Sequence, residues 1–338
     1  MSTEEDKKVT NADTGNEPRV SSASLDIHWP LVLYYVHFHL GAIFGLYHVF
    51  TEARILTTLF AIFIGLLTVL SATAGAHRLW AHRSYKANES LRIFLMICHT
   101  MLGQCTIYDW VLDHRVHHKY FGTDIDPYNK KRGFFYAHFI SNLRKQHPDF
   151  KKYAATIDMS DIEADRIVMF QKRYYWLLMP VLFILLPWNA PVEYWNESIM
   201  TSMLVAILLR CTIAIECSML INTAIHVWNI GEEGKAKDDG NLQFFVTKSY
   251  WPEYHYMVPW DYKTGEFGNY GEGCTSAFIR MWAALGWATD LKTLDVSSIK
   301  NVLVKAIDTK KPVVEYLQDE ENFSKAYNEE EQYLRPFK

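Results

Sequence analysis

Two long apolar runs separated by only four residues constrain this chain more than any other feature. Trp29 to Phe50 is almost continuously apolar and aromatic, and Ile55 to Ala76 follows after the short turn Thr51-Glu-Ala-Arg54. Runs of about 20 apolar residues satisfy their own backbone hydrogen bonds as helices and match the hydrocarbon thickness of a bilayer. Joined by so short a turn, the two make an antiparallel helical hairpin across a membrane. A second pair follows at Tyr174 to Trp188, short and interrupted by Pro180 and Pro187, and at Ile199 to Ile221. Ile93 to Gln104 is apolar but too short to span, so it reads as a buried or interfacial helix. The sequence therefore predicts an all-α integral membrane protein with four transmembrane helices in two hairpins.

Charge sets the orientation. The connector from Asn189 to Ser198 carries no Lys or Arg, whereas the polar segments flanking the spans are rich in both. The positive-inside rule then places both termini on the cytosolic face, under a helical cap made of residues 77–173 and 226–300. Residues 1–24 are polar, acidic and Ser/Thr-rich, without the apolar core of a signal peptide, and read as a disordered cytosolic tail. The domain proper is expected over 25–300, followed by a charged segment at 301–338. A pI near 6.4 gives no reason to propose nucleic-acid binding. The five cysteines lack CxxC spacing and four lie in apolar stretches, which argues against a disulfide framework or a cysteine-based zinc site.

The chemistry concentrates in five of the six histidines between Ala76 and Tyr120, those at HxxxxH and HxxHH spacings. His114, His117 and His118 stand at i, i+3 and i+4, which puts three imidazoles on one helix face. His77 and His82 are less regular, because positions i and i+5 diverge by about 140° on an ideal α-helix. To serve one centre they must flank a turn or splay toward two metals. Imidazole suits iron, zinc, copper and nickel, and a cluster this large exceeds what a structural zinc requires.

The stretches Gly75-Ala-His-Arg-Leu-Trp-Ala-His-Arg-Ser-Tyr-Lys86 and Asp113-His-Arg-Val-His-His-Lys119 resemble the first two histidine boxes of membrane acyl-CoA desaturases. The Δ9 (stearoyl-CoA) type matches best. The likeness continues through Asp124-Ile-Asp-Pro127, Arg132-Gly-Phe-Phe135 and Lys145-Gln-His-Pro148, and returns at Asn222-Thr-Ala-Ile-His226 and Pro259-Trp-Asp-Tyr-Lys263. It covers most of the chain between about Trp29 and Leu294. The resemblance implies a histidine-rich di-iron site in the cap and an enzyme of the endoplasmic reticulum membrane. Such an enzyme uses two Fe(2+) ions, O2, and electrons from cytochrome b5 and its reductase to place a cis double bond in a fatty acyl-CoA.

By resemblance the ligands are His77, His82, His114, His117, His118, His226 and His255, with Asn222 acting through a water. The i, i+4 spacing of Asn222 and His226 at the cytosolic end of a span puts them on one face. The third box departs from the family pattern HxxHH, which falls here on Pro252, His255 and Tyr256. Proline has no ligand atom. Tyr256, as a phenolate, and Glu253, one residue off register, are candidate substitute ligands.

Substrate contacts are mixed. Gln104, Trp110 and Ser218 occupy positions that line the bend in the acyl chain, and Asp113 and Lys145 are kept at the CoA surface. Pro30, Leu31, Cys105, Leu112 and Gln146 stand where the family places basic or amide side chains. Fewer charge-assisted donors weaken the grip on a phosphate-rich nucleotide. In the fourth span Arg210 matches the family, whereas Glu216 replaces a usual Asn, and an intramembrane carboxylate is a functional candidate by default. These residues support a Δ9-like acyl-CoA desaturase. The alternative is a catalytically impaired or inactive relative that binds lipid or a partner, and a related di-iron lipid hydroxylase is a third reading.

Overall fold

Helices account for nearly all regular structure in the computed structural model. It describes residues 26–129, 133–228, 255, 258–264 and 273–293, a few positions between 301 and 316, and only the backbone of 224–228. In chain order the elements are α1 (Trp29–Thr51), α2 (Ile55–Ala81), α3 (Glu89–Thr100), α4 (Ile107–Lys119), α5 (Phe150–Ala154), α6 (Ser160–Ala164), α7 (Arg166–Trp195), α8 (Ile199–Thr223, its backbone continuing to Trp228) and α9 (Cys274–Ala284). Two short strands, β1 (Lys86–Ala87) and β2 (Ala288–Thr289), pair antiparallel. Among the described residues α1, α2, α7 and α8 are the four helices long and apolar enough to cross a membrane.

Their outer faces carry large exposed apolar side chains such as Phe44, Phe63, Leu66 and Trp176, as a lipid-facing surface requires. Small residues take the inner contacts. A Cβ on Gly41 would run into the Leu208 side chain, and one on Gly45 into the Leu204 carbonyl, so α1 and α8 approach backbone to backbone there. At the far end from the cap, Glu197 accepts from Arg54 N (2.8 Å), Thr57 Oγ1 (2.6 Å) and Ser198 N (2.9 Å), tying the two hairpins together.

Three spanning helices change hydrogen-bond register along their length. Ser71–Ala81, Pro180–Leu185 and Met203–Leu209 are π-helical, bonding i to i+5. This corrects the expectation that prolines break the third span. Pro180 opens a π segment and Pro187 starts the next α turn, so each missing N–H falls at a register change and α7 runs on to Trp195.

The cap sits on the same end as the π segment of α2. In α3, Leu91, Leu95 and Cys98 are buried while Ile93, Phe94 and Ile97 are exposed, the pattern of an interfacial helix. Asn88 caps α3 and Thr106 caps α4 through side chains that accept from Leu91 N and Asp109 N. Ala72, Ala74, Ala76, Leu91, Leu95, Ile107 and Val111, all buried, form the packed layer behind the histidines.

Candidate metal centre

The second box needs no special backbone. On regular α4, His114, His117 and His118 share a face, and the His114 and His118 rings lie 4.6 Å apart. The first box does. With i to i+5 bonding, about one residue more fits in each turn, so the interval from His77 to His82 is close to one full turn. The His82 amide bonds the His77 carbonyl (3.0 Å), and the two rings sit 4.8 Å apart. The divergence expected on an ideal α-helix is removed by widening the helix, not by a turn.

The imidazoles converge on one point. The ligand nitrogens of His77, His82, His114 and His255 all lie within 4.8 Å of one another. His77 Nε2 is 3.2 Å from His255 Nε2, His82 Nε2 is 2.7 Å from His114 Nε2, and His118 Nε2 is 3.1 Å from His255 Nε2. Removal from water, and then repulsion among the neighbours, hold His82, His114 and His118 well below the usual histidine range. His255 is held down in the same way, by burial first and then by His77, Arg78 and His117. Neutral imidazole with its lone pair free is the form that binds a metal. Imidazole nitrogens crowded this closely in a buried site are the arrangement a cation completes.

Supporting contacts fix the rings. His117 Nδ1 donates to Asp126 Oδ1 at 2.6 Å, inside a fully buried pair, and Asp126 Oδ1 also accepts from Tyr128 N. His114 Nδ1 donates to Asn222 Oδ1 at 2.7 Å, leaving its Nε2 toward the centre. These are the carboxylate and amide partners that orient metal-binding imidazoles. Arg78, buried in the π segment, donates to Tyr262 O (2.8 Å), Ser276 Oγ (3.1 Å) and Thr264 O, which binds the first box to the stretch that delivers His255. Arg115 performs the parallel task for α4, reaching Trp80 O, Ala81 O and the Asp161 carboxylate. In the sequence Asp126 stands only inside the Asp124–Pro127 motif, and nothing local marks Arg78 or Arg115 as braces. The Asp-Ile-Asp-Pro signature after the second box was the available signal for Asp126.

Six of the seven predicted histidine ligands are thus gathered, and Asn222 bonds one of them. The side chain of His226, together with Glu253, Pro252 and Tyr256, lies outside the described residues. Beside the centre a cavity of about 530 Å³ runs between α1, α7, α8 and the cap, lined by Gln104, Trp110, Asp113 and Lys145. Ser218 donates to Gln104 Oε1 (2.8 Å) just behind its wall, and Trp110 stacks on His114 at 5.0 Å. At the polar end Lys145 pairs with Asp26 (3.3 Å). Burial in the wall, followed by the Asp109 charge, pushes the Asp113 carboxyl up to about 7. Burial, then Asp113 and Asp109, push the Cys105 thiol well above its usual range, so it stays protonated and inert.

Comparison with known proteins agrees with this geometry. A fatty acid desaturase family model matches residues 53–266. Over 293 residues the chain is 44% identical to the acyl-CoA Delta-9 desaturase of Acheta domesticus, covering 86% of this chain and 81% of that one. The acyl-CoA Delta12-desaturase of the same organism is 43% identical over 279 residues, covering 82% and 78%. Stearoyl-CoA desaturase 4 of Mus musculus is 36% identical over 271 residues, covering 79% and 76%. A match of this extent, on a chain whose helix ends bring its histidines to one point, means that the protein belongs to the fatty acid desaturase family of multi-pass membrane oxidoreductases.

Proposed function

We propose that the chain is a fatty acyl-CoA desaturase of Δ9-like regiochemistry, active in the endoplasmic reticulum membrane with both termini in the cytosol. It would draw electrons from cytochrome b5 and its reductase and use O2. The observation that carries the reading is the convergence of neutral imidazoles beside a cavity reaching from the cap between the spanning helices. The donor set fits the iron pair on which this family depends: several imidazole nitrogens, already deprotonated, with Asp126 and Asn222 behind them. His77, His82, His114, His117, His118, His226 and His255 would hold the ions, Asn222 through a water, with Glu253 or Tyr256 making good the altered third box. When bound, the irons supply the oxidant strong enough to take hydrogen from an unactivated methylene.

The remaining work belongs to the chain's own side chains. The cavity walls hold the acyl chain and keep water from the reacting carbons. Gln104, fixed by Ser218 and by Met219 Sδ (3.3 Å), and Trp110, fixed on His114, shape the bend. Asp113, its carboxyl raised by burial and then by the Asp109 charge, can donate as well as accept, which suits the amides of a pantetheine arm better than its phosphates. Relatives named for Δ9, Δ11 and Δ12 positions show how widely the reacting carbon varies among similar chains.

A second reading rests on Pro252 and Tyr256, which remove two imidazoles from the third box: a desaturase-like protein that binds lipid or a partner without turnover. Fatty-acid profiles after expression in a yeast lacking its own desaturase separate the two. A new Δ9 cis double bond is expected. Absence of any new double bond from folded, iron-loaded protein would sink the enzyme reading and leave the second.

A further inference from the structure

Outside the metal centre, one carboxylate in the spanning layer is bracketed by two imidazoles from two other elements. Glu216 on α8 lies 2.7 Å from His138 Nε2 through Oε2 and 3.3 Å from His39 Nε2 through Oε1. His39 comes from α1, and His138 from the short helical stretch Tyr136–Ile140. His138 is buried, and Glu216 is partly so.

The other nitrogens of these rings fix where protons must be. His39 Nδ1 meets the Tyr35 carbonyl at 2.8 Å, and a carbonyl only accepts, so that nitrogen carries a hydrogen. His138 Nδ1 meets Thr223 Oγ1 at 2.7 Å. The Thr223 hydroxyl spends its own hydrogen on Met219 O (3.0 Å), so His138 Nδ1 is a donor as well. Each ring therefore turns its Nε2 toward a carboxylate oxygen. If both rings were neutral and Glu216 ionised, lone pairs would face lone pairs at both contacts. One further proton at the 2.7 Å contact, carried by the carboxyl or by His138 Nε2, turns the closer of the two into a hydrogen bond.

Thr223 and Glu216 are seven residues apart, two turns along one face of α8. His138 thus clips both turns to the cap, at the helix end where Asn222 accepts from His114 Nδ1. We propose that Glu216 is a protonated carboxylic acid that donates to His138 and, through the His138–Thr223 bond, positions Asn222 against His114. Glu216 is a positioning residue on this account, acting two contacts away from the ligands. The remaining titratable groups facing it are Tyr35 on α1 and Cys217 beside it, and neither bonds its carboxyl.

The clamp rests on the reading of His114 as a metal ligand, so the test has one arm that needs no metal. In the full-length protein in detergent, infrared difference spectra should show a carboxylic C=O band that shifts in D2O and vanishes in Glu216→Gln. In the second arm Co2+ titrates the site, followed by its visible ligand-field absorption. Glu216→Gln keeps a donor on His138 and should retain wild-type Co2+ affinity. Glu216→Leu should lose about 10-fold or more, with an altered spectrum, as supporting contacts to metal-binding histidines typically do. If Glu216→Leu does not fold, Thr223→Val cuts the same relay and should show the same loss. Absence of the carboxylic band, or equal Co2+ affinity in Gln, Leu and Val variants, overturns the proposal. Wild-type protein that takes up no Co2+ would refute the metal-centre reading instead, and the infrared band would then decide the protonation of Glu216 alone.

Discussion

The two histidine boxes deliver the same chemical groups from different backbones. On α4 the spacing does the work, because i, i+3 and i+4 fall on one face of any α-helix. On α2 the spacing fails on an ordinary helix, and eleven residues of π-helix, Ser71–Ala81, bring His77 and His82 together. A π-helical run this long is rare, since most last a single turn, and it has to be held by something else. Arg78 and the buried Ala72, Ala74 and Ala76 supply that hold, through three carbonyl or hydroxyl acceptors and close packing. The regular box is set by local sequence, whereas the irregular one depends on distant parts of the fold.

The largest expected effect breaks the regular box itself. Replacing His118 by Ala removes a ring within 3.1 Å of His255 Nε2 and should abolish turnover and lower bound iron per chain. Melting temperature should fall too, since coordination contributes folding free energy. Iron analysis beside thermal melting checks this, and unchanged stoichiometry would show that His118 is not a ligand.

Arg78→Met comes next and strikes the irregular box. It leaves the Tyr262 and Thr264 carbonyls and the Ser276 hydroxyl without their shared charged donor. Hydrogen bonds to charged groups contribute roughly 1.5–3 kcal/mol each, so a loss of at least about 3 kcal/mol is expected. Iron should fall along with stability, because His77 and His255 lose their common brace. Arg115→Met, whose Asp161 partner is partly exposed, should cost less. Equal losses in the two variants would erase the distinction between the boxes.

Acidification tests both boxes at once. His82, His114, His118 and His255 are held well below the ordinary histidine range by burial first, so the folded state binds fewer protons than the unfolded one. Stability then rises with pH wherever the unfolded chain holds more protons. The contribution is intact above about 6.5, the unfolded histidine value, and is lost progressively as pH falls below it. Melting in detergent at about pH 7.5 and about pH 5.5 should show the drop and metal release together. A flat profile would contradict the placement of neutral imidazoles.

How much of this was legible in the sequence follows from the same contrast. The spanning helices and the second box were readable because apolar length and α-helical spacing are local properties. The register change at Ser71 was not, since no residue between Ser71 and Ala81 announces a π turn, and its support comes from Tyr262, Thr264 and Ser276, almost two hundred positions away. Pro180 and Pro187 looked like helix breaks because a sequence shows the missing N–H but not the wider turn that absorbs it. Glu216 stood out as an intramembrane charge, yet its partners His39 and His138 come from α1 and the cap, where nothing near them in sequence points to it. Of the third box only His255 is described, and it joins the centre.

The smallest expected effect concerns Gly75, in the middle of the π segment. Its backbone is helical, so the residue is not required for a left-handed conformation. A Cβ there would lie 3.1 Å from Trp80 Cζ3 and 3.5 Å from Leu95 Cβ. The first contact is tight, and Trp80 is anchored by its Nε1 donating to Asp165 Oδ2 (3.1 Å), so the ring can yield by only a few tenths of an ångström. Against that strain, Ala in a helix interior gains roughly 0.8–1 kcal/mol over Gly. The two terms are of similar size, and Gly75→Ala should shift stability by less than about 1 kcal/mol with iron content unchanged. Melting and iron analysis of the one variant decide what the glycine is for. A large loss of iron at near-normal stability would mean that Gly75 sets the π register and hence the angle between His77 and His82. A small shift in both would leave that register to Arg78 and the packing around it.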